Sequence, residues 1–261
     1  MALNRATRPG VDLDSFKQNP ACLMKAAGFE PDPWQEQLLQ SDAQRALLLC
    51  ARQVGKSTAT SILALKTALT QPGSTTVIVA PVEEQSKELL RKVMSSYNNI
   101  GRPIRVVREA ITFFELANGS RVLALPGKES RVRSYTSDLL IIDEAARVRD
   151  DVFSGASPTM AVSKGRFIAL STAFSKSGWF YREWTEGEEY LRLSITAHDC
   201  PRIPPEFLRQ EERKLGSRWF SMEYLNIFGD DVSALFTTEE IAAALSDHSV
   251  KPLFPTQRLL V

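Results

Sequence analysis

The sequence predicts an α/β protein with a mostly parallel central β-sheet flanked by helices, and three observations carry that prediction. Residues 46–97 alternate strand-like and helical segments, the order that builds parallel strands joined by crossover helices. Two short runs, Leu139–Ile142 and Arg166–Thr172, are apolar without strict alternation, as expected of strands covered on both faces. Cys50-Ala51-Arg52-Gln53-Val54-Gly55-Lys56-Ser57-Thr58 falls between an apolar strand and a helix, the setting that a phosphate-binding loop requires.

In chain order, residues 1–33 are rich in Pro, Gly and charge and read as an N-terminal extension with one short helix over Ser15–Ala27. Ala46–Ala51 is a strand-sized apolar run. Lys56–Thr70 carries Ile62, Leu65 and Leu69 at helical spacing until Gln71-Pro72-Gly73 stops it. Thr75–Ala80 is β-branched and apolar. Glu83–Tyr97 repeats Leu89, Leu90, Val93, Met94 and Tyr97, with acids in the first turn where the helix dipole favours them. Ile111–Leu116, Asn118-Gly119 and Arg121–Leu125 predict a hairpin on an Asn-Gly turn. Tyr190–Thr196 alternates like a half-exposed strand. After His198 the pattern turns helical: Pro204–Leu215 ends at Gly216, Trp219–Phe228 ends at Gly229, and Thr237–Leu245 opens on a Thr237/Glu240 capping box. The expected division is an extension over 1–33, a core over 34–200 and a small helical C-terminal subdomain over 201–261.

Composition sets the outer bounds. With 43% hydrophobic and 24% charged residues the chain is an ordinary globular protein, neither disordered nor fibrous. Its net charge of +1 names no partner. Cys22, Cys50 and Cys200 are too few and too scattered for a disulfide framework or a metal cluster, and His198 and His248 form no site with them. The longest apolar runs fall far short of the ~20 residues of a membrane span. A reducing, intracellular setting without a membrane is the expectation.

The chemistry concentrates at strand tips. Backbone N–H groups of Gln53, Val54 and Gly55 and the helix start at Lys56-Ser57-Thr58 are placed to hold phosphates. Lys56 is the residue that reaches the β- and γ-phosphates, and the Ser57 hydroxyl is a Mg²⁺ ligand. The loop opens on Cys50 where the consensus has Gly. Leu139-Leu140-Ile141-Ile142-Asp143-Glu144 ends a buried strand in two carboxylates: Asp143 for the Mg²⁺ shell, Glu144 to orient and activate water. Arg166–Ala173 ends a further strand in Ser171-Thr172, placing hydroxyls where they register hydrolysis. Together these make the fold expectation a P-loop NTPase of the ASCE type, and the activity an ATPase.

The ordered set of Pro33-Trp34-Gln35 with Leu38-Leu39, Arg52-Gln53-x-Gly55-Lys56-Ser57, Ile141-Ile142-Asp143-Glu144-Ala145-Ala146 and Ser171-Thr172-Ala173 resembles the ATPase domain of tailed-phage or prophage terminase large subunits. The resemblance runs from about residue 31 to the C-terminus. It implies a motor that uses ATP and Mg²⁺ to drive double-stranded DNA into a procapsid, in the cytoplasm of a bacterial host. It further implies adenine recognition by Gln35 with Trp34 beside it, a γ-phosphate contact from Arg52, a coupling role for Ser171-Thr172-Ala173, and an arginine acting in trans at Arg133. Ser134 replaces the glycine that follows this arginine in the family, and Arg131 lies two residues before it, so both arginines remain in view. The implied partners are DNA, a portal protein, a small terminase subunit and further copies in a homo-oligomeric ring, with a monomer in isolation.

Family members carry a C-terminal nuclease of the ribonuclease-H type. Arg258-Leu259-Leu260-Val261 looks like the opening of its first strand, so the expectation is the motor portion alone, with no nuclease activity. Two other classes compete: a fragment of a two-lobed helicase, which requires a second lobe that the residues after His198 are too few to build, and a nucleotide-binding assembly module, which has no use for Glu144. Charge is unevenly spread. Residues 85–135 hold ten Lys+Arg (Lys87, Arg91, Lys92, Arg102, Arg105, Arg108, Arg121, Lys128, Arg131, Arg133) against Glu88, Glu109, Glu115 and Glu129, an excess suited to a phosphate backbone or an acidic neighbour in a ring.

Overall fold

A computed structural model of the chain describes residues 12–128, 132–160 and 163–230, and Ala244. Eight strands form one sheet in the order β3-β4-β5-β2-β6-β7-β1-β8. They are β1 (Arg45–Cys50), β2 (Thr75–Ala80), β3 (Val106–Ala110), β4 (Phe113–Leu116), β5 (Arg121–Pro126), β6 (Leu139–Asp143), β7 (Arg166–Ser171) and β8 (Leu191–Ile195). From β5 to β8 every neighbouring pair is parallel, and β3 and β4 extend one edge antiparallel. This is the mostly parallel α/β sheet that the alternation predicts. β7 lies between β1 and β6, so the strand feeding the glycine loop and the strand ending in acids are one strand apart.

Helices α1 (Leu13–Gln18), α2 (Pro20–Ala26), α3 (Pro33–Gln40), α4 (Lys56–Thr70), α5 (Glu83–Asn99), α6 (Asp150–Ala156), α7 (Gly178–Thr185) and α8 (Pro205–Tyr224) accompany the sheet, with short 3-10 turns at Ala145–Arg147, Ser157–Met160 and Ala197–Asp199. The period-2 geometry of the strands sorts their side chains into two apolar layers. Leu48, Ile78, Ile141 and Ile168 meet Leu23, Leu38, Ile62, Leu63, Leu89 and Val93 on one face. Leu47, Val77, Leu140 and Phe167 meet Val152, Trp179 and Phe180 on the other. With both faces covered, the central strands are apolar throughout.

Several elements differ from their expected form. The single helix over Ser15–Ala27 is two, because Pro20 has no N–H to continue α1 and Asn19 instead caps α2 by accepting from the Ala21 N–H at 3.2 Å. Phe16, Leu23 and Met24 of these helices are buried in the first layer, so they belong to the core rather than to an appendage. In the hairpin, Phe113–Leu116 pairs with β5 as expected while Ile111 stays exposed in the turn before it. β3 was not foreseen: its residues are largely exposed and carry no apolar period.

The two helices expected after residue 204 are one element, α8, kinked where Gly216 leaves helical geometry at φ 76°, ψ 159°. It ends at Tyr224, not Phe228. Gly229 then pairs with the segment after β7, donating to the Phe174 carbonyl at 2.8 Å. Leu208, Phe220 and Tyr224 are buried in the first layer and Met222 in the second, so the compact unit runs on to Gly229 and the division falls there rather than at 200. The Thr237–Leu245 helix lies outside the described residues apart from Ala244. Among the described residues no helix is long and apolar enough to cross a membrane.

Candidate nucleotide site

The loop after β1 turns on two left-handed residues, Gln53 (φ 62°) and Gly55 (φ 93°), and Gly55 is the N-cap of α4. The φ favours glycine at Gly55, and a Cβ there would stand 2.7 Å from Gln35 Nε2 and displace the end of that side chain. Lys56, Ser57 and Thr58 form the first turn of α4; the Lys56 and Ser57 N–H groups have no helical carbonyl to bond, while that of Thr58 donates to the Gly55 carbonyl at 3.1 Å. Val54 is fully buried, which leaves only its backbone for a ligand. Cys50, at the consensus glycine position, is also fully buried as the last residue of β1, and burial pushes its thiol up to about 12. The bend therefore begins after Cys50, and a small side chain there points into the core.

Asp143 and Glu144 end β6 as foreseen. Glu144 takes a left-handed conformation (φ 49°), and its N–H donates to Asp143 Oδ1 at 2.9 Å. Asp143 is 7% exposed, and burial, with the like charge of Glu144 next, pushes its carboxyl up to about 6. The Lys56 ammonium lies 3.1 Å from Glu144 Oε1, which brings the loop and the acidic strand tip into one site across the intervening β7.

Two further residues belong to this charge cluster and were not anticipated. Arg147 Nε lies 3.9 Å from Glu144 Oε2 and its Nη2 is 3.3 Å from Glu223 Oε1. Arg52 Nε lies 2.9 Å from Glu223 Oε2 without the alignment of a hydrogen bond, and the Arg52 N–H donates to the Glu223 carbonyl at 2.9 Å. Glu223 thus ties α8 to the phosphate loop. Spacing offered no signal for it, since the contact bridges distant parts of the chain.

Beside the loop is a cavity of about 420 Å³ whose walls include Met24, Phe29, Gln35, Gln53, Thr58 and Arg202. Gln35 Oε1 accepts from the Asp32 N–H at 2.8 Å, and Nε2 donates to the Gly55 carbonyl at 3.2 Å. These two backbone partners fix which end of the amide is which and leave one N–H and one lone pair for a ligand. Arg202, also unforeseen, bonds Asp32 at 2.6 Å and the Val54 carbonyl at 3.4 Å. Trp34, expected beside Gln35, instead packs half-buried against the first apolar layer and is not on the cavity wall.

Ser171 and Thr172 are buried at the end of β7, and Ser171 Oγ accepts from the Ala146 N–H at 3.2 Å, just past the acidic pair. Arg133 is exposed on a separate wall with Ser134, Tyr135 and Thr136, and Arg131 lies outside the described residues. The residues that could hold Mg²⁺ are Ser57, by its hydroxyl, and the buried Asp143 carboxylate, and among the described residues no three His, Cys, Asp or Glu gather into a cage. Hard oxygen donors in that number fit a cation that keeps several waters and shares phosphate oxygens. Part of the basic excess over 85–135 is locally neutralised: Lys87 pairs with Glu83 and Glu84, Arg91 with Glu88, and Arg108 with Glu115.

The family described as terminase large subunit, T4likevirus-type, N-terminal, matches residues 47–243. A terminase large subunit of Thermus phage G20c is 28% identical over 180 residues, covering 61% of this chain and 37% of that protein. The large terminase ATPase domain of Thermus phage P74-26 superposes with a TM-score of 0.71 at 21% identity, over 79% of this chain and 97% of that one. The HK97 bacteriophage large terminase gives 0.62 at 15% identity, over 77% and 51%. The chain spans well under half the length of the curated relative it matches. With the family matched across both motifs, this chain belongs to the terminase large subunits, as their N-terminal portion.

Proposed function

We propose that the chain hydrolyses ATP with Mg²⁺ and that this hydrolysis drives double-stranded DNA into a procapsid. The observation that carries the reading is the Lys56–Glu144 pair, at 3.1 Å, beside a cavity lined by Gln35. A cation to draw charge from a γ-phosphate and a carboxylate to orient water occupy the same few ångströms. Gln35 supports adenine as the base: one free N–H and one free lone pair complement N7 and the N6 amino group.

In this mechanism the phosphates lie along the N–H groups of residues 53–58, and Lys56 leaves Glu144 for the β- and γ-phosphates. Ser57 and Asp143 would hold Mg²⁺, which supplies charge neutralisation across the phosphates. Glu144 accepts a proton from the attacking water as it aligns on the γ-phosphorus. Arg52 reaches toward the γ-phosphate, Thr172 registers its loss, and Arg133, or Arg131 two residues before it, completes a neighbour's site. DNA, portal, small subunit and a ring of copies are the partners this reading requires, and the host cytoplasm is the place.

The test is steady-state ATP hydrolysis against protein concentration, with and without linear duplex DNA. Turnover that rises faster than linearly with concentration is expected from a site completed in trans. A chain that binds ATP and shows no hydrolysis at any concentration, with Mg²⁺ and DNA present, would be a nucleotide-binding assembly module instead.

A further inference from the structure

Glu144 faces two cations through different oxygens: Lys56 at Oε1, 3.1 Å away, and Arg147 at Oε2, 3.9 Å away, an ion-pair distance longer than a hydrogen bond. Lys56 cannot stay once a triphosphate fills the loop, because its ammonium is the group that must meet the phosphates. Arg147 has no such second task. Its backbone N–H closes the short turn after β6 by donating to the Glu144 carbonyl at 2.9 Å. Its guanidinium is held by Glu223 at 3.3 Å and lies over the Phe174 ring, 4.3 Å from the centroid. Phe174 directly follows Ser171-Thr172-Ala173, and Glu223 is buried on α8, so two separate elements fix the arginine.

We propose that Arg147 is a positioning residue for hydrolysis: through Oε2 it holds the Glu144 carboxylate in one orientation while Oε1 faces the attacking water. This rests on the reading of Glu144 as the water-orienting group. Once Lys56 turns to the phosphates, Arg147 is the cation that stays beside the Glu144 carboxylate. The planar fork of arginine suits the task, since it can face a carboxylate on either side and stack on an aromatic ring at once. Lysine offers a compact point charge with no planar face to stack on the ring.

The experiment is single-turnover ATP hydrolysis with equilibrium ATP binding for the full chain and its R147Q, R147K, E144Q and R147Q/E144Q variants. R147Q is expected to slow hydrolysis by about 10-fold or more with the Kd for ATP unchanged, and R147K to recover only part of the rate. The double variant is expected to be no slower than E144Q, because the two residues act as one unit. A wild-type rate in R147Q, a weaker Kd in place of a slower rate, or a further loss on top of E144Q would overturn the proposal. A wild-type rate in E144Q would overturn the reading of Glu144 itself, which separates the two failures. Thermal unfolding checks each variant, and should R147Q not fold, R147K carries the test with the same rate-against-binding split.

Discussion

The Lys56 ammonium and the Glu144 carboxylate stand 3.1 Å apart, so each is the other's partner until phosphate competes for the lysine. The pair is largely shielded, at 11% and 21% side-chain exposure, and in the proposed mechanism ATP binding breaks it. Glu144→Gln keeps the shape and removes the charge that holds Lys56. Its ATP affinity is expected to equal or exceed that of the unsubstituted chain, by up to about 5-fold for an ion pair worth roughly 1 kcal/mol. Hydrolysis is expected to fall by about 100-fold or more, the usual loss when a positioned base is removed. Titration with a fluorescent ATP analogue and phosphate release read the two effects; normal turnover in this variant sinks the assignment.

Gln35 spends one donor and one acceptor on Gly55 and Asp32 and keeps one of each for the cavity. Gln35→Ala removes both of the latter. At about 1 kcal/mol per hydrogen bond, ATP binding should weaken by roughly 10-fold or more. Because guanine offers acceptors where adenine offers a donor and an acceptor, GTP should weaken far less. Competition between the two nucleotides measures the ratio. An unchanged ATP-to-GTP preference would remove Gln35 from base recognition.

What could be read from sequence divides along physical lines. β1, β2, β6 and β7 are continuous apolar runs because both sheet faces are covered, so composition alone exposes them. β3 is an exposed edge strand and leaves no such trace. At the site, Gly55-Lys56-Ser57 and Asp143-Glu144 are legible since each is a local backbone device, a helix start or a strand tip. Glu223 and Arg202 act through tertiary contacts, 76 residues from Arg147 and 170 from Asp32, where no periodicity reports. Trp34 shows the converse: it neighbours Gln35 in sequence, but one step along α3 sets it against the first apolar layer.

Asp143 makes stability depend on pH with an uncommon sign for an aspartate. Its folded carboxyl sits near 6, above the unfolded value of 3.8, so the folded chain holds a proton more tightly than the unfolded one. The associated stability is complete below about pH 4 and is lost as pH rises through about 6. Asp143→Asn keeps the acceptor for the Glu144 N–H and cannot ionise. In chelator, the variant should gain on the unsubstituted chain as pH goes from 4 to 8, read by denaturant unfolding. A constant difference across that range contradicts the burial argument.

Cys50 should be inert despite its place at the phosphate loop. With its thiol near 12, the thiolate fraction at pH 8 is about one in ten thousand, and the side chain is fully buried. Cys22 is exposed. Iodoacetamide on the native chain should label Cys22 readily and Cys50 only after unfolding, with ATPase rate unchanged by the Cys22 adduct. Rapid labelling of Cys50, read by peptide mass, would mean that the loop opens well beyond the geometry seen here.

Arg133 is exposed and lies on a wall apart from the nucleotide cavity, as a residue reaching a neighbour's site must. Mixing separates a trans role from a local one. An Arg133→Ala chain keeps Glu144 and lacks the arginine; a Glu144→Ala chain keeps the arginine and lacks the glutamate. If the arginine acts within its own chain, every mixture is as inactive as its parts. If it acts across a head-to-tail interface, one of the four neighbour orders in an equal, random mixture joins an intact glutamate to an intact arginine. Activity should then return to roughly a quarter of the unsubstituted value per site, at protein concentrations where copies assemble. The same mixing with Arg131→Ala decides between the two arginines, because only the one that crosses the interface can be complemented.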